Sequence, residues 1–383
     1  MGSYVPDLPK LHMETPCIRS QELSRAAGCN IYLKLENLQP SGSFKSRGIG
    51  TMMSRALLTS SSGRVHFHCS SGGNAGLACA EAAQTLRQPC DVFLSATTPD
   101  IVIEKLAALG ATPHRAASGA WPEADALCRA AVESNPDGVY VSPFDHPSIW
   151  DGNSTIVDEL ASLEGKGFFS GNGDANGVIN AVVCSVGGGG LLNGVMEGIE
   201  RNYASLQHRP AVLAIETSGA DSLAASIRAN AHVSLPGITS IATTLGAPRV
   251  SAQTYQWAEK CNASTFTLPS SSPPTKSSGA KPITNADMNP ESTTTKRLTS
   301  AVVSDADAVS ACARFLDDAR LLVEVACGAT LSAAYNSKAL LRAALAPGVD
   351  DESWARMNVV LVVCGGAGIS FDMLAKYREK FGV

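Results

Sequence analysis

The sequence has no C-x-x-C pair. Its 11 cysteines are odd in number and widely dispersed, which excludes a structural zinc ribbon and a disulfide scaffold. They read as small buried apolar side chains. Charge is scarce as well: 17% of residues are charged, with 30 Lys plus Arg against 35 Asp plus Glu, a formal net charge of −5 and no basic block. Nucleic acid is therefore not an expected partner. No apolar run approaches the roughly 20 residues of a membrane-spanning helix, so no membrane association is expected. The first residues lack a basic stretch leading into an apolar one, and Pro6 stands where a myristoylation signal needs Ser or Thr. The expectation is a soluble cytoplasmic protein. Aromatic residues make up only 5%, yet 44% of the chain is hydrophobic and 34 of 383 residues are glycine, a globular α/β balance. That length suits two to three domain-sized units, or two unequal domains sharing a cleft.

Short apolar runs alternate with helical patterns, as in β-α units around a parallel sheet. The run 178–186 is β-branched, enters four glycines and is followed by a helical stretch over 191–203. The same order recurs at 65–69 before Ser-Ser-Gly-Gly-Asn, at 212–215 before Glu216, and at 359–364 before Gly-Gly-Ala-Gly. Ligands bind where such strands end, so these four loops are expected to form one site. The segment 262–300 holds eight Ser, eight Thr and five Pro in 39 residues and reads as an exposed, flexible insertion. A Gly/Asn-rich stretch over 165–177 reads as a loop.

Four motifs carry chemistry. In Ser41-Gly42-Ser43-Phe44-Lys45-Ser46-Arg47-Gly48, a lysine follows a turn and opens a helical run over 45–58. The positive end of the helix dipole favours a neutral amine, which imine chemistry requires; a lone loop lysine is otherwise a solvated charge. In Ser70-Ser71-Gly72-Gly73-Asn74-Ala75-Gly76, small residues before a helix form an anion seat from backbone N–H groups and hydroxyls, or an ordinary turn with Asn74 as cap. Gly187-Gly188-Gly189-Gly190 lies between a strand and a helix. It matches neither the Walker spacing nor G-x-G-x-x-G, because Gly194 falls one residue late. Four successive glycines cost backbone entropy with no packing return, which favours a phosphate seat. Cys364-Gly365-Gly366-Ala367-Gly368 reads on its own as a buried thiol before a turn.

One lysine, two anion seats and no nucleotide signature fit a small cofactor with one phosphate and one aldehyde, such as pyridoxal 5′-phosphate. In this order the motifs resemble the fold-type II pyridoxal-phosphate enzymes, the tryptophan synthase β-like fold, and most closely the eukaryotic L-serine/L-threonine dehydratases. The resemblance runs from Thr15-Pro16 through Tyr140 to Trp150 and Glu216-Thr217 to Val323-Glu324, nearly the whole chain outside 165–177 and 262–300. It implies two open parallel-sheet domains with the cofactor in the cleft between them: residues 1–45 with 147–383 binding the cofactor, and residues 46–146 carrying the substrate loop. It implies that Lys45 holds the cofactor and then removes the substrate Cα proton, that Phe44 stacks on the pyridine ring, and that Gly187, Gly188, Gly189 and Gly190 bind the phosphate. Asn74 is then placed at the ring oxygen and Cys364 at the ring nitrogen. Ser70, Ser71, Gly72, Asn74 and Ala75 form the substrate loop, with Ser71 close to the reacting carbon. Glu216, Ala220 and Ser222 fall where the family takes oxygen ligands for a monovalent cation, usually potassium; on spacing alone Glu216 serves equally as a cap or a surface residue.

The activity implied is elimination of water from L-serine, and from L-threonine, giving pyruvate or 2-oxobutanoate plus ammonia, by a homodimer acting on a small amino acid. A sibling of the same fold (serine racemase, threonine synthase or a β-replacement enzyme) and a non-catalytic cofactor- or amino-acid-binding module are the alternatives. Three features stand apart from the resemblance. Gly72 replaces the alanine found in some relatives, and a missing methyl beside the substrate predicts a slower enzyme with relaxed substrate choice. The Ser/Thr/Pro segment is regulatory or inert, the latter favoured because long surface insertions cost little. The glycosylation sequons at Asn153 and Asn262 read as chance matches.

Overall fold

The computed structural model describes residues 9–117, 121–170, 177–206, 208–267, 297–335 and 338–383. Its strands are β1 (Cys17–Ser20), β2 (Asn30–Lys34), β3 (His66–Cys69), β4 (Cys90–Leu94), β5 (Thr112–Arg115), β6 (Gly138–Val141), β7 (Ala181–Ser185), β8 (Ala211–Thr217), β9 (Ser264–Thr267), β10 (Leu298–Val303) and β11 (Asn358–Val362). They form two sheets. A large one runs in the order β1-β2-β11-β7-β8-β10-β9, and a small one in the order β5-β4-β3-β6.

The large sheet is built from β-branched and aliphatic runs with no polar alternation, as strands covered on both faces require. All five residues of β11 and of β7 are buried. Each fully buried Val or Leu there contributes about 1.5–3 kcal/mol relative to exposure. Parallel register sets Val360 opposite Tyr32 on one side and Val182 on the other. The expected parallel architecture has one exception: β1 pairs antiparallel to β2. Only the short helix Gln21–Ala27, the left-handed Gly28 and Cys29 separate these strands, too little chain for a parallel crossover, which takes a dozen or more residues.

The small sheet is parallel throughout, and all four of its strands lie between residues 66 and 141. The expected insertion over 262–300 is corrected at both ends. Residues 264–267 form β9 and pair with β10, whose six residues from Leu298 are all buried. Tertiary pairing overrides the polar composition there; residues 268–296 lie outside the described residues. Within the expected loop 165–177, Phe169 is buried and packs edge-on against Tyr32 at 4.7 Å between ring centroids, and residues 171–176 lie outside the described residues.

Candidate active site

Strands β2, β11 and β7 are parallel and finish on one edge of the large sheet, and the strand order reverses between β7 and β11. Open α/β sheets take ligands at such a reversal. The loop after β2 is stitched to the loop after β11: the Phe44 N–H donates to the Cys364 carbonyl at 3.1 Å, and the Gly366 N–H donates to the Gly42 carbonyl at 2.9 Å. Lys45, first residue of the helix Lys45–Thr59, is thereby brought beside Cys364. Its Nζ donates to the Pro143 carbonyl at 2.5 Å and lies 5.2 Å from the Phe44 ring centre. Burial lowers the amine to about 8, against the Cys69 and Cys364 thiols, which act to raise it. Desolvation, rather than the helix dipole, is the cause that the structure supplies. Across the strand reversal, the Ser185 hydroxyl at the end of β7 donates to Cys364 Sγ at 3.6 Å.

The four glycines follow β7 and lead into the helix Gly190–Tyr203, which no side chain caps. Its first-turn N–H groups are therefore available to an anion. Packing nevertheless demands part of this motif, contrary to the sequence reading. A Cβ on Gly188 would stand 2.3 Å from the Phe144 ring, and one on Gly189, whose φ is +94°, would stand 1.8 Å from Thr254 Oγ1. Glycine here makes room for the protein's own side chains.

The loop after β3 opens a second uncapped helix, Asn74–Leu86. Its members separate in the structure. The Ser70 hydroxyl donates to Asp125 Oδ1 at 2.6 Å and lies 3.3 Å from the Tyr140 hydroxyl, while its carbonyl accepts from Trp121 Nε1. Ser70 thus braces the loop through both its side chain and its carbonyl. Burial alone would raise the Asp125 carboxyl; the hydrogen bonds from Ser70, Tyr140 and Arg129 outweigh it and hold it low. Ser71 is half-buried and accepts from the Gly73 N–H at 3.3 Å, and Ala75 is buried in the helix's first turn. Asn74 joins the loop to the other sheet's elements: its Nδ2 donates to Glu324 Oε2 at 3.0 Å and its Oδ1 accepts from the Ala367 N–H at 3.0 Å.

Glu324 is a residue that motif reading left without a role. It accepts from Gly368 N at 2.6 Å, Thr244 Oγ1 at 2.9 Å and Asn74, and burial raises its carboxyl against these bonds. Gly187 closes the circuit, since a Cβ there would lie 3.3 Å from the Thr244 carbonyl. Pro143, Phe144, Cys69 and Ser185 likewise carried no sequence signal of their own.

Packing also holds Gly72 as glycine. A Cβ there would point at Thr98, 2.8 Å from Oγ1 and 3.0 Å from Cγ2, and at Leu94, within its own sheet's packing. Gly72→Ala should overpack this contact and cost about 1–3 kcal/mol. Combining it with Thr98→Ala should recover most of the loss in urea denaturation; absence of recovery would place the strain elsewhere.

The cation trio lies at the end of β8. Glu216 is fully buried, and its carboxylate caps the helix Ser222–Ala229, accepting from Leu223 N and Ala224 N at 2.8 Å each and from Ser300 Oγ at 3.2 Å. Burial raises it to about 8. Ala220 is buried nearby, and the Ser222 hydroxyl is buried with no hydrogen-bond partner. The sequon at Asn153 is unusable, because that side chain is 1% exposed and donates to the Gly190 carbonyl.

Comparison with known proteins follows the same outline. Residues 9–272 match the family described as pyridoxal-phosphate dependent enzyme. The human L-serine dehydratase/L-threonine deaminase is 37% identical over 379 residues, covering 97% of this chain and 96% of its own length. The L-serine dehydratase of Saccharomyces cerevisiae (strain AWRI1631) is 33% identical over 380 residues, covering 97% and 98%. The crystal structure of a fungal L-serine ammonia-lyase from Rhizomucor miehei superposes with a TM-score of 0.77 at 30% identity, covering 97% of this chain and 99% of that one.

Proposed function

Since this chain belongs to the family of pyridoxal-phosphate dependent enzymes, we propose that it is an L-serine ammonia-lyase that also accepts L-threonine. The observation that carries the reading is the setting of Lys45: a buried amine held low enough to be available as a base, facing the Cys364 thiol across loops stitched together by backbone bonds. The full-length likeness to serine dehydratases supports the substrate.

The site fits the cofactor. The uncapped first turn at Gly190 suits its phosphate, and the Lys45 amine suits its aldehyde. When bound, that group takes up the amino acid's nitrogen and withdraws electrons from Cα. Lys45 Nζ accepts the Cα proton, and the first-turn N–H groups after Ser71 seat the substrate carboxylate. Cys364 would face the ring nitrogen. A thiol is a weak partner that does not hold this nitrogen protonated as a carboxylate would. Charge developing at Cα is then only partly withdrawn, and expulsion of the β-hydroxyl relieves it. The cofactor's phosphate or Ser71 would protonate that leaving oxygen, with the proton taken by Lys45 making good the one given up, and the enamine left after water departs would hydrolyse to 2-oxo acid and ammonia.

A monovalent cation, potassium, is proposed at Glu216, the Ala220 carbonyl and Ser222. The unpartnered Ser222 hydroxyl and the buried, raised Glu216 carboxyl both gain from a cation between them. Replacing potassium by tetramethylammonium should lower the rate; equal rates in the two salts would remove the site. The large and small units divided at residues 45 and 147, a homodimer and a cytoplasmic location complete the proposal, and sedimentation tests the dimer. For the reaction, purified enzyme should convert L-serine and L-threonine to stoichiometric 2-oxo acid and ammonia. Racemised or β-substituted product in place of oxo acid would assign the chain to another activity of the same fold.

A further inference from the structure

Away from the site above, strand β3 carries His66 and His68 two residues apart, so both rings stand on one face of the small sheet. They stack at 4.3 Å between centroids. The parallel register sets His68 opposite Asp91 on β4 and brings His114 of β5 beside Phe93, on whose ring it stacks at 4.7 Å. The Asp91 carboxylate is the hub. His66 Nε2 lies 3.1 Å and His68 Nδ1 3.5 Å from its Oδ2, and His114 Nε2 lies 3.3 Å from its Oδ1.

The His66 and His68 separations miss hydrogen-bond geometry. His66 Nε2 and both nitrogens of His68 are buried without a hydrogen-bond partner, and the His68 side chain is only 2% exposed. Buried polar groups left unsatisfied in this way call for an explanation. The spacing supplies one: ligands 2.0–2.1 Å from a tetrahedral zinc ion stand about 3.3 Å apart. His66, His68 and Asp91 also present one donor atom each within 4.8 Å of one another, the one such cluster among the described residues.

We propose that His66, His68 and Asp91 bind a divalent zinc-class cation, with His114, 44% exposed at the rim, orienting the Asp91 carboxylate from its other oxygen. Imidazole and carboxylate donors suit this class of ion. The ion would clip β3 to β4 and fix the strand that runs directly into the Ser70–Gly73 loop. Asn135 supplies the outer contact, its Nδ2 standing 3.0 Å from His66 Nδ1. An ion on Nε2 leaves the proton on Nδ1, so an acceptor serves better at that position.

The test uses the cofactor-loaded enzyme, stripped with chelator and titrated with Co²⁺ and then Zn²⁺. One equivalent of Co²⁺ should bind with the visible ligand-field bands of a nitrogen/oxygen site and without thiolate charge transfer, and Zn²⁺ should displace it. At a hundredfold excess over Kd, Zn²⁺ should raise the thermal midpoint by about 3 °C. Asp91→Asn should abolish binding, and its circular dichroism reports whether the fold is kept. Two further variants carry the test if it is not: His114→Gln should bind about tenfold more weakly, and Asn135→Asp about tenfold more tightly. Failure of wild-type protein to take up micromolar cobalt, a thiolate charge-transfer band, or identical binding by wild type, His114→Gln and Asn135→Asp would each overturn the site.

Discussion

Lys45→Met is expected to yield a protein that is inactive and, without cofactor, more stable than the wild type at pH 7. The loss of activity follows from removing the Lys45 amine at the strand reversal: a positioned base contributes about 10²–10⁴-fold, and the covalent attachment point goes with it, so the rate should fall by about 10⁴-fold or more. The gain in stability follows from the same burial that makes the amine reactive. Burial lowers Lys45 from its ordinary value of 10.5 to about 8. The unfolded chain therefore binds more protons than the folded one between those values, and native stability rises as pH climbs through that window. Below pH 8 the folded protein carries the full penalty, up to about 3 kcal/mol less what residual solvent contact screens. Methionine matches the stem, removes the charge and forfeits about 1 kcal/mol with the bond to the Pro143 carbonyl. Urea denaturation of the two apoproteins at pH 7 and above pH 10 should show the variant ahead at the lower pH and level or behind at the higher. A variant less stable at both would mean that Lys45 is not desolvated in the folded protein.

What the sequence discloses about this site is what strand, turn and helix disclose locally. Lys45, the loop over 70–76 and the four glycines each sit at a strand-to-helix junction whose apolar run, small residues and helical period are contiguous, so the loops and their common edge could be read directly. Residues that act through distant partners could not. Asn74 meets Glu324 across 250 positions, and nothing near Glu324 announces that Thr244 and Gly368 converge on it. The direction of β1 depends on the length of one short helix, and the burial of β10 on pairing with β8. The histidine cluster lies between these cases. His-x-His in a strand puts two rings on one face, but Asp91 and His114 join them only through the parallel register.

Arg47 shows the same limit, and its replacement should have the largest effect on stability. It follows Lys45 by two residues on the same helix and is fully buried. Its guanidinium donates to Glu36 through Nε at 2.6 Å and Nη2 at 2.8 Å, to Glu159 through Nη1 at 2.6 Å and Nη2 at 2.8 Å, and to Thr155 Oγ1 at 2.9 Å. Glu36 lies 11 residues away and Glu159 112. Lys34 completes the cluster through Glu159 and the Thr15 carbonyl. Arg47→Met leaves Glu36 with no exposed surface and no cation of its own, and removing one partner of a buried pair costs about 3–5 kcal/mol. For a chain of this length that lowers the thermal midpoint by about 4–6 °C. Arg47→Lys should recover little, because one ammonium cannot fork to two carboxylates. The pH dependence fixes the cause. Burial alone would raise Glu159, but Arg47 and Lys34 hold it low. Its contribution is therefore present above the ordinary carboxylate range and is lost as pH falls through the lowered value. The gap between wild type and Arg47→Met should narrow on acidification toward pH 4; a gap constant across that range would show that the loss is one of packing, with the carboxylates already neutral in the folded protein.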